Sequence, residues 1–221
     1  MKNIAALIPA YNASGTIGAV VSGVAAYLPL ANTFVVDDGS IDKTSFEAVS
    51  AGARVLKHTA NRGKGAALRT GLDFVLQASF DAVITLDADL QHPPDYIPQF
   101  IELYAKETFD VIIGSRLHNV KGMPLHRLLS NTVTTFLVNA RTSRRIGDSQ
   151  SGYRLIDRRV LEAFRITSNG FEAETEFLIK AASHGFRFGS IPIRTVYNGE
   201  QSHMTHFSTT ANFIKVLFQD Y

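Results

Sequence analysis

The chain has 221 residues, 45% of them hydrophobic, with 22 basic and 20 acidic side chains and no cysteine. This composition suits a globular protein with a sizeable core. A net charge of +2 leaves no basic footprint for nucleic-acid binding, and the lack of cysteine excludes disulfides, thiol catalysis and cysteine zinc sites.

Short apolar runs alternate with helical patterns through the first half of the chain. The first run, Ile4–Pro9, reads as a strand. It is too short for a signal-peptide core and ends at Pro9, Tyr11 and Asn12. Ser14 can cap the helix that follows, with Ile17, Val20, Val21 and Val24 on its apolar face. Further strands are expected at Thr33–Asp37, Arg54–His58, Ala82–Asp87 and Val111–Gly114. Leu68, Leu72, Val75 and Leu76 have helical spacing, as do Tyr96, Ile97, Phe100, Ile101 and Tyr104. This alternation predicts a Rossmann-like α/β fold, with a mostly parallel sheet covered by helices on both faces.

The pattern changes after about residue 116. A basic, glycine-containing loop, Leu117–Met123, leads into an amphipathic helix carrying Leu125, Leu128, Leu129, Val133, Phe136 and Leu137. The polar stretch Gly147–Arg154 comes next, then a helix over Glu172–His184 and a strand over Phe186–Ile193. Phe213, Ile214, Leu217, Phe218 and Tyr221 share one face of a last helix. No linker or repeat divides the chain, so one domain over 1–221 is expected, with 1–116 and 117–221 as two functional halves. No apolar run approaches the ~20 residues of a bilayer span. The expectation is a cytoplasmic protein without a membrane span of its own.

In parallel α/β sheets, ligands bind beyond the carboxyl ends of the strands. The chemistry-bearing residues fall there. Asp87-Ala88-Asp89 ends the fourth strand, with Gln91 two residues on. Its carboxylates are hard ligands suited to Mg²⁺ or Mn²⁺, and such an ion could clamp a diphosphate leaving group. A solvated acidic turn would have the same sequence. Asp37-Asp38-Gly39-Ser40 can form a tight turn that offers a carboxylate to a base or ribose, or simply an Asx turn. Asn61-Arg62-Gly63-Lys64-Gly65 opens a helix and suits an anion, but has neither P-loop nor dinucleotide spacing. Arg116 and Arg127 are candidate phosphate ligands, since guanidinium contacts phosphate bidentately. Asp148–Arg154 is dense in groups that bind hydroxyls or phosphates. His203 and His206 are candidates for ligand contact near the C-terminus.

Taken in order, these motifs resemble family 2 glycosyltransferases of the GT-A fold, in the dolichol-phosphate mannosyltransferase-like branch. The set is Pro9-x-Tyr11-Asn12, Asp37-Asp38-Gly39-Ser40-x-Asp42, Asn61-x-Gly63-Lys64-Gly65, the run from Asp87 to Pro94, Gly114-Ser115-Arg116 and Asp148-x-Gln150-Ser151-Gly152-Tyr153-Arg154. The resemblance implies that Asp87, Asp89 and Gln91 hold the metal and, through it, the donor diphosphate. Pro9, Tyr11, Asn12, Asp37, Asp38, Lys64 and Ala88 would line the donor pocket. Arg116, Arg127 and Asn131 would receive an acceptor phosphate, with Asp148 and Gln150 near the transferred sugar. Ser202 and His203 fall where relatives carry a segment over the diphosphate. Relatives usually have an acidic residue after Tyr-Asn, where this chain has Ala13.

The implied reaction moves a sugar, with inversion, from a GDP- or UDP-linked donor to a polyprenyl phosphate such as dolichyl or undecaprenyl phosphate. That places the protein at the cytoplasmic face of a membrane. Either late amphipathic helix could lie on an anionic surface, or pack against the domain itself or a second subunit; a membrane partner protein is a further possible partner. A soluble family member acting on a saccharide or protein hydroxyl would instead need Asp148 as a base. A non-catalytic nucleotide-sugar-binding module is the reading from another class.

Overall fold

The computed structural model describes residues 2–117, 123–194 and 206–221, with the backbone alone for 206–209. Seven strands form one sheet: β1 Ile4–Ala10, β2 Thr33–Asp37, β3 Arg54–Lys57, β4 Ala82–Thr85, β5 Val111–Ser115, β6 Arg154–Asp157 and β7 Phe188–Pro192. Their order is β3-β2-β1-β4-β6-β5-β7. All neighbours are parallel except β6, which runs antiparallel to β4 and β5. The mostly parallel α/β sheet expected from the sequence is therefore present.

Successive side chains of a strand point to opposite faces, so each inner strand feeds two cores. Ile4, Ala6, Ile8 and Ala10 of β1 join one, with Val35, Ile84 and Ile112 from other strands. Helices α1 (Ile17–Ala25), α2 (Thr44–Ser50) and α4 (Ile97–Ala105) cover that face. Ala5 and Leu7 of β1 join the other, with Phe34, Val36, Val83 and Ile113. Helices α3 (Lys64–Gln77), α5 (Leu125–Thr142), α6 (Arg158–Ala163), α7 (Ala173–Ser183) and α8 (His206–Phe218) cover it. Phe100 of α4 and Tyr153 are fully buried, their ring centroids 4.6 Å apart. Truncating a buried ring of this size typically costs ~3–5 kcal/mol.

Strand β6 and the short helix α6 that follows it are not among the elements expected from the sequence. In β6 only Leu155 and Ile156 are apolar, between Arg154 and Asp157, yet all four residues are buried. The charged ends are compensated. Arg154 donates to the carbonyls of Glu174 and Ser149, and Asp157 accepts from Arg159 and from the Tyr104 hydroxyl. Because β6 is antiparallel, its start lies at the same rim as the carboxyl ends of β1, β4 and β5. The polar stretch before it is thereby carried to the site. Chain direction across the sheet switches between β1 and β4: β2 and β3 lie to one side, β6, β5 and β7 to the other. A ligand cleft is expected at such a switch point.

Candidate active site

A cleft does open there, lined by Pro9 from β1, Thr85 and Asp87 at the end of β4, Lys64 of α3, Gly152 and Arg154 at the start of β6, and Glu174 of α7. Buried and partly buried charges meet across it. Lys64 Nζ lies 2.6 Å from Asp87 Oδ1 and 2.7 Å from Glu174 Oε1. Arg154 Nη2 lies 3.5 Å from Glu174 Oε2. Burial pushes the Asp87 carboxyl up, but the neighbouring positive charges, Lys64 first among them and Arg116 also, together outweigh it and leave the group below the usual carboxylate range. Burial likewise pulls Lys64 down, and the charges of Asp87 and Glu174 more than reverse that. Burial lowers the pKa of His92, whose Nδ1 lies 3.5 Å from Asp87 Oδ2.

Two glycines make the close approaches possible. A Cβ on Gly152 would fall 2.9 Å from both Asp87 carboxylate oxygens, so only glycine lets this loop close over the carboxylate. Gly63 has φ +95°, and a Cβ there would fall 2.3 Å from the Asn169 carbonyl oxygen. That carbonyl accepts from the N–H of Gly65 at 2.7 Å and fixes the first turn of α3 with Lys64 on it.

Asp89 is partly exposed, and its Oδ1 accepts from the Gln91 N–H at 3.0 Å. Asp87, Asp89 and Gln91 supply hard oxygens, the donor chemistry that Mg²⁺ and Mn²⁺ select. Among the described residues no three acidic or imidazole side chains form a complete cage. Mg²⁺ is in general held by one or two carboxylates, with substrate phosphates and water completing its shell.

Asp37 and Asp38 are both buried and organise their own loops. Asp37 accepts from Ser40 N and Ser45 Oγ and pairs with Lys57. Burial raises its pKa, and the serine hydrogen bonds lower it further than that. Asp38 accepts from His58 Nδ1 at 2.6 Å, Arg62 N at 3.0 Å and Gly63 N at 2.8 Å, and so shapes the turn before Lys64. The first loop is stitched to the second. Asn12 Oδ1 accepts from Ile41 N, Asn12 N donates to Ser40 Oγ, and Ala13 N donates to Thr44 Oγ1. Tyr11 is left half-exposed on the rim, while Ala88 is buried.

Asp148 is fully buried. Arg116 Nε and Nη2 reach its two oxygens at 2.8 and 3.0 Å, and the N–H groups of Arg116 and Gln150 add two more bonds. The two residues that the sequence reading gave to acceptor and sugar are thus brought to each other. Arg127 and Asn131 lie on the inner side of α5, in line with Thr135 and Val138, which are buried. Thr135 Oγ1 accepts from Ser149 N at 3.0 Å, tying this side of the helix to the Asp148 loop. On the outer side Leu125, Leu129, Val133 and Phe136 are 75, 64, 51 and 69% exposed. Arg141, Arg144 and Arg145 are exposed at the end of the helix. No described helix is long and apolar enough to cross a membrane. Ser202, His203 and the His206 side chain lie outside what is described.

Glu174 is a site residue that sequence reasoning misses. Its acidic neighbours Glu172 and Glu176 make the start of α7 look like a solvated first turn favoured by the helix dipole. One signal was available: Glu174 stands four residues before Leu178 and seven before Ala181, on a face that becomes core.

Comparison with known proteins bears on this site. The family model described as "Glycosyl transferase family 2" matches residues 5–165. A UDP-N-acetylglucosamine–dolichyl-phosphate N-acetylglucosaminyltransferase of Methanococcus voltae is 31% identical, over 89% of this chain and 86% of that protein. A dolichol-phosphate mannosyltransferase of Pyrococcus furiosus is 31% identical over 80% of this chain, which spans about half (52%) of that protein's length. Glucosyl-3-phosphoglycerate synthase of Mycobacterium tuberculosis, crystallised with Mn²⁺, UDP-glucose and phosphoglyceric acid, superimposes with a TM-score of 0.75 at 21% identity, over 98% of this chain and 80% of that one. The GT-A-type α/β fold expected from the motifs is the fold observed.

Proposed function

The chain belongs to glycosyl transferase family 2, and from that premise we propose that it moves a hexose from a GDP- or UDP-linked donor to a polyprenyl phosphate, with inversion at the anomeric carbon. Asp87, Asp89 and Gln91 would hold Mg²⁺ or Mn²⁺ together with the donor diphosphate. Such an ion, when bound, stabilises the charge that develops on the departing nucleoside diphosphate. Pro9, Tyr11 and Lys64 line the pocket for the nucleotide, and Asp38 builds the turn that presents Lys64.

The observation that carries the choice of acceptor is the state of Asp148. A hydroxyl acceptor needs a base to take its proton, and in this chain the role would fall to Asp148. That carboxylate is buried and spent on Arg116 and two backbone N–H groups. A phosphate monoester needs no base, because with a second pKa of ~6 it is mostly ionised at pH 7. The protein's task is then to position the nucleophile and balance its charge. Arg127 and Asn131, on the inner side of α5, are assigned to the acceptor phosphate. The exposed apolar side of the same helix, with arginines at its end, suits the surface of an anionic membrane in which a lipid acceptor resides. The relatives named for dolichyl-phosphate transfer support this reading.

The direct test offers the purified chain GDP-mannose, UDP-glucose and UDP-N-acetylglucosamine, with polyprenyl phosphate, phosphoglycerate or simple saccharides as acceptors, in Mg²⁺ or Mn²⁺. Sugar transfer to the organic-extractable lipid is the expected result. Transfer to a hydroxyl acceptor alone would overturn the assignment.

A further inference from the structure

The carboxylate assigned above to a divalent cation already has a cation. Lys64 Nζ sits between Asp87 and Glu174, within 2.7 Å of each, and the three side chains are only 19, 22 and 10% exposed. Asp89 makes no ion pair of this kind among the described residues; it accepts only from the Gln91 N–H. A dication placed on Asp87 would stand against the Lys64 ammonium in a site largely closed to water, where like charges repel strongly. Lys64 must therefore leave Asp87 before the ion can bind. Glu174 gives it a partner to withdraw to, at a distance already suited to an ion pair.

We propose that Lys64 is the internal counter-ion of the donor-free site, occupying Asp87 in place of the metal and withdrawing onto Glu174 and the diphosphate when donor and cation arrive. Glu174 is then a positioning residue, acting on the metal site through Lys64. The inference rests on the reading of Asp87 and Asp89 as the cation's carboxylates. Its consequence is that the cation binds poorly to the empty protein. A diphosphate chelates Mn²⁺ in any case, so the informative measurement is Mn²⁺ binding without nucleotide.

The test is titration with Mn²⁺, followed by the electron paramagnetic resonance of the free ion. Wild type is compared with Lys64→Met/Glu174→Gln and with Glu174→Gln alone, and thermal melts confirm that each is folded. The double variant removes one positive and one negative charge, so the net charge of the cluster is unchanged while Asp87 loses its ammonium. It should bind Mn²⁺ about tenfold or more tighter than wild type without nucleotide, within the ~5–150-fold span usual for coupled sites. Glu174→Gln alone, which leaves Lys64 only Asp87, should bind Mn²⁺ more weakly than wild type.

A folded double variant binding Mn²⁺ no better than wild type, while wild type binds it with UDP or GDP present, would overturn the counter-ion role and leave the metal site standing. Should the double variant not fold, Glu174→Gln decides: weaker binding supports the inference, and equal or tighter binding overturns it. No Mn²⁺ on any form, even with nucleotide, would remove the metal assignment and this inference together.

Discussion

Glu176→Gln tests how the site is braced from behind. Glu176 is fully buried. Its carboxylate accepts from Thr167 N at 2.8 Å, Thr167 Oγ1 at 2.9 Å and Ser168 N at 2.7 Å, and pairs with Lys180 at 2.6 Å. It thus holds the 167–168 segment next to Asn169, whose carbonyl anchors the first turn of α3 and Lys64. Burial raises the Glu176 pKa, but these bonds outweigh it and bring the group from 4.5 down to about 2. A shift of that size corresponds to about 3 kcal/mol of stability at neutral pH. The folded pKa is depressed, so the contribution is complete above the unfolded value of 4.5 and is lost as pH falls toward about 2. Glutamine keeps the shape but turns a donor toward Ser168 N–H or Lys180. Urea unfolding at pH 7 should show Glu176→Gln less stable by about 2–3 kcal/mol. At pH 3 the gap should shrink by roughly half or more. A gap that is the same at pH 7 and pH 3 would refute the electrostatic account of this brace.

Two further outcomes concern the proposed acceptor. Arg127→Ala should lower kcat/KM for the lipid acceptor by about 10–100-fold, the scale of a charge-assisted phosphate contact, and change the donor KM by less than about threefold; equal losses for donor and acceptor would count against its role. Wild type should float with anionic liposomes, and Phe136→Asp should cut that binding by about tenfold or more, the worth of one buried aromatic. Wild-type protein that ignores every vesicle would point to a membrane partner protein, a second copy of the chain, or a water-soluble acceptor.

Much of the fold was legible in the sequence because parallel strands buried on both faces read as unbroken apolar runs. Ile4–Ala10, Thr33–Asp37 and Val111–Ser115 are buried at every position, and the predicted strands there match to within a residue. Strand β6 escaped because its stabilisation comes from partners elsewhere in the chain. Arg154 is tolerated inside only through Glu174 and Ser149, both distant from it in sequence or hidden in a loop. The same logic divides the site. Motifs at strand ends placed Asp87, Asp89 and Lys64 on one rim, since a parallel sheet directs all its carboxyl ends to one edge. What each charge does there was not legible, because pairing depends on side chains brought from α7 and β6. Asp38 and Asp148 read as ligand contacts in sequence, and the structure spends both on the chain's own donors.

The proposed reaction depends on a divalent cation on Asp87 and Asp89 that draws off the nucleotide half of an activated sugar. A crystal grown with Mn²⁺ and a nucleoside diphosphate, measured at the manganese absorption edge, tests it most directly. One anomalous peak is expected between the two carboxylates and the diphosphate oxygens, with the Lys64 ammonium turned away from Asp87. Nucleotide bound in this cleft without manganese on either aspartate, or nucleotide bound elsewhere, would contradict it.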